Sequence, residues 1–139
     1  MFAAVYTTAQ VRELEHAALR PAQVPAPRLM ERAGLAAAEY ARATMGEAMR
    51  RVLVVAGPGN NGGDAFEVAV HLKQWFYRVT VVFAGDRARL SEDARDALEK
   101  WDHAGGTVET AIPAGGRWDL VIDGLFGIGL QRPLEGRNA

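Results

Sequence analysis

The chain has 139 residues, with 16 Lys and Arg against 17 Asp and Glu, no cysteine and a formal net charge of −1. Scattered, nearly balanced charge argues against a nucleic-acid or anionic-membrane partner, and the lack of cysteine excludes disulfides, thiolate nucleophiles and zinc held through sulfur. The N-terminus lacks a basic segment before a long apolar stretch, and no apolar run approaches bilayer length, so we expect a single cytoplasmic domain with no signal peptide.

Two helices are predicted before the first strand. Residues 7–10 (TTAQ) have the spacing of a capping box, and the apolar positions after them predict a helix over residues 8–19. Three prolines then interrupt the pattern. From Pro27 the apolar positions recur with a period near 3.6 as far as Ala41, which predicts a second helix. Its alanine-rich face predicts close packing against another helix, with a second subunit as one candidate.

Strands and helices alternate in the rest of the chain. One helix is predicted to end near Trp75, and another to run from an N-cap at Ser91 to Trp101. Strands are predicted at residues 51–56, 78–84, 107–110 and 118–123. This alternation is typical of a mostly parallel sheet with helices on both faces.

A glycine-rich turn, GPGNNGG at residues 57–63, joins the first strand to the next helix. Four glycines in seven residues predict that the backbone approaches something closely, at the strand end where open α/β sheets bind ligands. The run satisfies G-x-G-x-x-G, which allows a dinucleotide site with Asp86 on the ribose. Against this, we place Asp64 in the first helical turn, where its carboxylate would repel a pyrophosphate. A tight turn with Asp64 as the helix cap is the purely structural alternative.

Polar side chains accompany both glycine-rich loops. Asn60, Asn61 and Asp64 offer amide donors and acceptors with one acid, a set that suits hydroxyls, carboxamides or a weakly hydrated cation. Asp123 ends the last predicted strand before a second glycine-rich loop, so we expect it to face the same crevice. The alternative for Asp123 is a turn-forming residue that caps local N–H groups.

Three segments in order, LMERAG (29–34), GPGNNGGD (57–64) and DGLFGIGLQRPLEG (123–136), resemble the YjeF N-terminal domain family, the NAD(P)HX epimerases. The resemblance covers essentially the whole chain. It implies a Rossmann-like three-layer α/β/α sandwich after an N-terminal helical segment, commonly as a homodimer. The implied reaction interconverts the R and S hydrates of NADH and NADPH, a nucleotide repair reaction followed by a fused or separate ADP- or ATP-dependent dehydratase.

The same resemblance implies site residues. Asn61 and Asp123 would ligate one potassium ion per subunit. Epimerisation breaks and remakes a bond at the hydrated carbon with proton transfer, for which Asp64 and Asp123 are the candidate catalytic acids. We expect Asp123 to act mainly through the cation and Asp64 to orient the substrate. The two glycine-rich loops would line the substrate, and the second loop would face its phosphates. The lining residues would be Asn60, Asn61, Gly62, Gly63, Asp64, Gly127, Ile128, Gly129, Leu130, Gln131, Arg132 and Pro133.

The chain departs from the family pattern in three places. Ala65 stands where glycine is usual, and Gly124 where alanine is usual. Family members also continue into a strand with a VDIPSGL-type motif, which supplies a further acid and a cation-binding serine and has no match here. We therefore expect residues 1–139 to be the front part of a larger domain. A non-catalytic nucleotide-binding or scaffold module and an ordinary NAD-dependent Rossmann enzyme are the alternative functions.

Overall fold

A computed structural model of the chain describes residues 4–18 and 26–127, apart from the side chains of 26–28. Every strand pair is parallel, in the order β3-β2-β1-β4, so the predicted α/β class with a parallel sheet is confirmed. A one-turn 3-10 helix precedes α4. The elements are α1 (Thr8–Ala18), α2 (Ala26–Thr44), β1 (Arg51–Ala56), α3 (Asn60–Gln74), β2 (Arg78–Val82), α4 (Glu92–His103), β3 (Val108–Glu109) and β4 (Leu120–Gly124).

One face of the sheet carries the main core. Val52 and Val54 of β1 share a buried cluster with Phe66 of α3 and Leu98 of α4. Leu53 points to the opposite face, because side chains alternate along a strand. Helix α3 contacts β1, β2 and β4 and packs against α2 and α4. The described part of the chain thus accounts for one helical layer of the predicted sandwich.

Two predicted N-caps are confirmed. The Gln10 backbone N–H donates to the Thr7 hydroxyl over 3.3 Å, and the Thr7 N–H donates to the Gln10 side-chain oxygen over 2.9 Å, which completes the capping box of α1. The hydroxyl of Ser91 accepts from the backbone N–H of Ala94 over 3.3 Å and caps α4. Short local patterns were sufficient to locate both helix starts.

Helix α3 begins earlier than predicted. Its first residue is Asn60, and its N-cap is Gly59, which provides no side-chain hydrogen bond. The placement of Asp64 in the first turn is therefore wrong, because Asp64 is the fifth helical residue. The alternative in which Asp64 caps the helix is wrong for the same reason. The two asparagines lie in the helix rather than in the turn before it.

Packing within the chain requires glycine at positions 57 and 62 and leaves little space at position 63, whereas a Cβ on Gly59 would meet no atom within 4 Å. A Cβ on Gly57 would lie 1.7 Å from the carbonyl oxygen of Leu125, and one on Gly62 would lie 1.9 Å from the carbonyl oxygen of Gly57. A Cβ on Gly63 would lie 2.5 Å from the sulfur of Met30. The predicted close approach is therefore made by neighbouring segments of the same chain.

The alanine-rich face of α2 packs against α3 of the same chain. Ala38 and Ala41 are buried there, and Gly34 lies against Glu67, whose Cβ would be 2.3 Å from a Cβ on that glycine. Close helix packing is thus present with an intramolecular partner, but the predicted face is partly wrong, because Ala33, Ala37 and Tyr40 are exposed. None of the helices in the described ranges has the length and apolar character needed to cross a membrane.

Candidate functional site

The two glycine-rich loops meet at the carboxyl ends of β1 and β4. The Gly57 N–H donates to the Gly124 carbonyl over 2.9 Å, and the parallel pairing of β1 with β4 brings Asp123 to the same edge of the sheet. A Cβ on Gly127 would lie 3.4 Å from the Cβ of Asn61. The predicted juxtaposition of the loops is therefore present in the structure. Ile128 to Pro133 of the second loop lie outside the described residues.

Asn61 and Asp123 lie where α3 meets β4. The backbone oxygen of Asn61 would be 3.0 Å from a Cβ on Gly124, the neighbour of Asp123. Asp123 is exposed, and its Oδ1 accepts from the Leu125 N–H over 3.0 Å, so the turn-capping alternative describes a real contact. Residues 4–18 and 26–127 contain no cluster of three or more His, Cys, Asp or Glu side chains that would take a metal ion. The amide and carboxylate oxygens of this pair match a weakly bound monovalent cation better than zinc.

Asn60 and Asp64 lie on a different side of α3 from Asn61. Residues four apart share one face of a helix, so the carboxamide and the carboxyl are neighbours. Together they line a cavity of about 180 Å³ at the start of α3. The other lining residues come from α1, α2 and α4, and they are Glu15, Leu29, Met30, Ala33 and Asp93. The structure thus divides the residues predicted for the first loop between two faces of the helix.

Asp64 has the most altered acidity in the site. Burial, followed by the negative charges of Glu15 and Glu67, raises the pKa of the Asp64 carboxyl to about 6. A carboxyl of this pKa is present in both protonation states near neutral pH. This is the property required of a side chain that accepts and returns a proton.

Ser91 contacts the site, although sequence analysis identified it only as a helix cap. Its Oγ lies 2.9 Å from the Oδ1 of Asn60, 31 positions away. Glu15 and Asp93 were also missed as cavity residues, and no local pattern marks them. Met30 was identifiable only as part of the LMERAG segment.

Asp86, the residue that could bind a ribose in a dinucleotide site, makes a local hydrogen bond. Asp86 Oδ1 accepts from the Ala88 N–H over 2.9 Å and caps the 3-10 helix that follows β2. This hydrogen bond accounts for an acid at position 86 without a nucleotide. The alternative of an ordinary dinucleotide site therefore loses the support of Asp86 and rests on the glycine pattern alone.

A protein-family model described as YjeF-related protein N-terminus matches residues 26–139, most of the chain. The chain belongs to this family. The NAD(P)H-hydrate epimerase of Bordetella pertussis is 50% identical over 127 residues, which are 91% of this chain and 53% of the relative. This YjeF-family chain thus spans about half the length of that relative.

Further relatives agree with this family assignment. The NAD(P)H-hydrate epimerase of Rhodobacter capsulatus is 38% identical over 139 residues, covering 95% of this chain and 66% of the relative. A bifunctional NAD(P)H-hydrate repair enzyme of Leishmania braziliensis is 37% identical over 135 residues, 93% of this chain and 24% of that enzyme. The crystal structure of yeast YNL200c has a TM-score of 0.80 at 23% identity, covering 97% of this chain and 61% of that chain. That structure shows that the YjeF-family chain shares its fold.

Proposed function

We propose that this YjeF-family chain supplies part of a site at which the R and S hydrates of NADH and NADPH interconvert. The observation that carries the proposal is Asp64, a carboxyl with a pKa raised to about 6 that lies beside Asn60 in the cavity at the start of α3. The names of the Bordetella and Rhodobacter relatives support the substrate class.

Inversion at the hydrated carbon proceeds if its bond to the ring nitrogen opens, with its hydroxyl becoming a carbonyl, and then closes again on the other face. A proton must leave a heteroatom of the substrate and return to it during this exchange. We assign that proton to Asp64, because both of its protonation states are populated near neutral pH. This assignment goes beyond the orienting role that we expected for Asp64 from the sequence.

Asp123 has a different role in this proposal. Asp123 and Asn61 would hold a potassium ion through oxygen atoms, and the ion would supply positive charge beside the nucleotide phosphates. The loop from Gly127 to Pro133 would face those phosphates. The N–H groups of Gly62 and Gly63 donate to the Gly59 carbonyl, but Gly59 gives α3 no side-chain cap, so the N–H groups of Asn60 and Asn61 support an anion nearby.

The proposed function also involves a second copy of the chain and a second enzyme. The chain would act as a homodimer, and a dehydratase fused to it or separate from it would consume the epimer formed. The name of the Leishmania relative, a bifunctional repair enzyme, supports this coupling to a second activity.

In the direct test, the purified S hydrate of NADH is placed in potassium buffer, and proton NMR measures how fast it equilibrates with the R hydrate. We expect the chain to accelerate this equilibration and Asp64→Asn to reduce the acceleration by about 100-fold or more, the range for a lost acid–base group. Asp96→Asn on the exposed side of α4 is the matched control and should retain the wild-type rate.

Other outcomes of the same assay separate the alternative functions. Tight binding of the hydrate without acceleration would favour a non-catalytic nucleotide-binding module. Preferential binding of intact NAD would favour an ordinary Rossmann enzyme. An Asp123→Asn variant with unchanged turnover and unchanged potassium dependence would overturn the cation assignment.

A further inference from the structure

Ser91 makes two hydrogen bonds of different kinds. Its Oγ accepts from the Ala94 N–H over 3.3 Å, which caps α4, and it lies 2.9 Å from the Oδ1 of Asn60. A hydroxyl has one proton to donate, and Oδ1 of a carboxamide only accepts. Ser91 is therefore the donor to Asn60 and the acceptor from Ala94. The helix cap alone would not require the hydrogen bond from Ser91 to Asn60.

The bond to Ser91 determines which atoms Asn60 can present to a ligand. A carboxamide has an acceptor oxygen on one side and an NH₂ group with two donors on the other. Because the oxygen faces Ser91, the two donors lie on the opposite side of the group. Asn60 lines the same cavity as Asp64. A donor beside the proton-carrying acid suits an acceptor atom of the ligand, such as a carbonyl, hydroxyl or phosphate oxygen.

We propose that Ser91 is a positioning residue of this site, which fixes the Asn60 carboxamide with its donors available to the ligand. The identity of the ligand, hydrated NADH, rests on the proposed function. The hydrogen bond and the orientation that follows from it rest only on the geometry of Ser91, Asn60 and Ala94.

A pair of substitutions that match each other in shape, Asp and Asn, separates the two roles of Ser91. Asp and Asn are both good N-cap residues, so Ser91→Asp and Ser91→Asn should each retain the cap of α4. Only the Asn variant can also donate to the Oδ1 of Asn60, whereas the Asp variant offers acceptors alone. Ser91→Thr retains both the acceptor and the donor. Thermal melting should show all three variants within a few degrees of the wild type.

Two readouts test the proposal in the complete chain. The first is the side-chain NH₂ signal of Asn60 in ¹⁵N–¹H spectra, assigned by its loss in Asn60→Ala. The second is KM, or the dissociation constant, for hydrated NADH. We expect Ser91→Asp to move the Asn60 signal and to weaken binding by about tenfold or more, because the variant loses one hydrogen bond and adds a negative charge; the Asn60 signal isolates the hydrogen bond. Ser91→Asn and Ser91→Thr should remain within about twofold of the wild type.

Equal behaviour of Ser91→Asp and Ser91→Asn in both readouts would overturn the proposal and leave Ser91 as a helix cap. If the wild-type chain neither binds nor epimerises hydrated NADH, the proposed function fails, and the NMR signal then decides the positioning role. A signal that moves in the Asp variant and stays in the Asn variant supports that role. A signal that is the same in both refutes it.

Discussion

Ala65 and Gly124 share a space that holds a single methyl group. A Cβ on Gly124 would lie 2.5 Å from the Cβ of Ala65, well inside contact distance. Ala65 belongs to α3 and Gly124 ends β4, so this contact sets how closely the helix approaches the strand beside Asn61 and Asp123. The resemblance described above implies glycine at the first position and alanine at the second. We therefore expect the two departures to compensate each other, with the methyl group on the helix instead of on the strand.

Double-mutant analysis tests this compensation. Gly124→Ala alone should lower the free energy of unfolding by about 1–3 kcal/mol, because it overpacks a filled space. Ala65→Gly alone should lower it by about 1 kcal/mol, from backbone entropy in the helix. The double variant should lose less than the sum, by at least about 1 kcal/mol, in urea unfolding. Gly46→Ala is the control, since its Cβ meets open space, and purely additive effects would show that positions 65 and 124 are independent.

The raised pKa of Asp64 makes stability depend on pH. Its folded pKa of about 6 exceeds an unfolded value of about 3.9, so its contribution to stability is full below pH 4 and is lost as the pH rises through 6. Asp64→Asn should therefore be more stable than the wild type at pH 7.5, by about 1 kcal/mol after allowance for solvent screening, and should lose this advantage at pH 4. Urea unfolding between these pH values measures the difference.

Glu15 provides a second test of the same relationship. Its negative charge is one of the causes that raise the pKa of Asp64. Glu15→Gln should lower that pKa, which carboxyl ¹³C shifts can follow directly. A pKa of Asp64 that stays unchanged in this variant would show that α1 does not influence the cavity electrostatically.

Lys100 holds together two acids from different helices. Its ammonium lies 2.5 Å from an oxygen of Glu31 and 2.6 Å from one of Glu67, whose side chain is only 5% exposed. Burial alone would lower the pKa of Lys100, but the hydrogen bonds to the two acids outweigh it and raise that pKa above its ordinary value. The lysine is therefore charged, and it compensates a buried carboxylate.

Removal of the Lys100 charge should destabilise the fold more than removal of the exposed Glu31 charge. Lys100→Met should lower the free energy of unfolding by about 2 kcal/mol, less than for a fully buried pair because Lys100 is itself partly exposed. Glu31→Gln should stay within about 1 kcal/mol of the wild type. Adding Glu67→Gln to Lys100→Met should restore part of the loss in chemical denaturation. An equal loss with or without that second change would refute the explanation by an uncompensated charge.

Phe76 has a backbone conformation that favours glycine. Its φ is 65°, and it follows α3 in a Schellman motif in which the Tyr77 N–H donates to the Leu72 carbonyl over 3.0 Å. Its side chain is 91% exposed and gains little from packing. Gly105 occupies the equivalent position after α4, with a φ of 72°. The two helices therefore end in the same left-handed conformation, with phenylalanine at one end and glycine at the other.

Substitutions at these two helix ends should change the free energy of unfolding in opposite directions. Phe76→Gly should raise the free energy of unfolding by about 1 kcal/mol, because it relieves the left-handed conformation. Gly105→Ala should lower it by a similar amount. Differential scanning calorimetry measures both. Destabilisation by Phe76→Gly would contradict this explanation and show that the aromatic side chain itself contributes to stability.

Local signals were sufficient for some elements and not for others. Strand β1 was predicted to the residue, and the caps at Thr7 and Ser91 were identified because each depends on a pattern within three positions. The start of α3 was missed because glycine disfavours helix locally, while the contact between Gly62 and Gly57 is tertiary. The bond between Ser91 and Asn60 joins positions 31 apart and leaves no local pattern.

Residues 60–64 and 123–127 form the proposed site for hydrated NADH, and one titration tests this directly. The measurement is a titration of the ¹⁵N-labelled chain with the S hydrate of NADH, and separately with NADH, in potassium buffer. We predict that amide shifts will concentrate in those two segments and that the hydrate will bind more tightly than NADH. Shifts confined to other surfaces, or equal affinity for the two nucleotides, would contradict the claim.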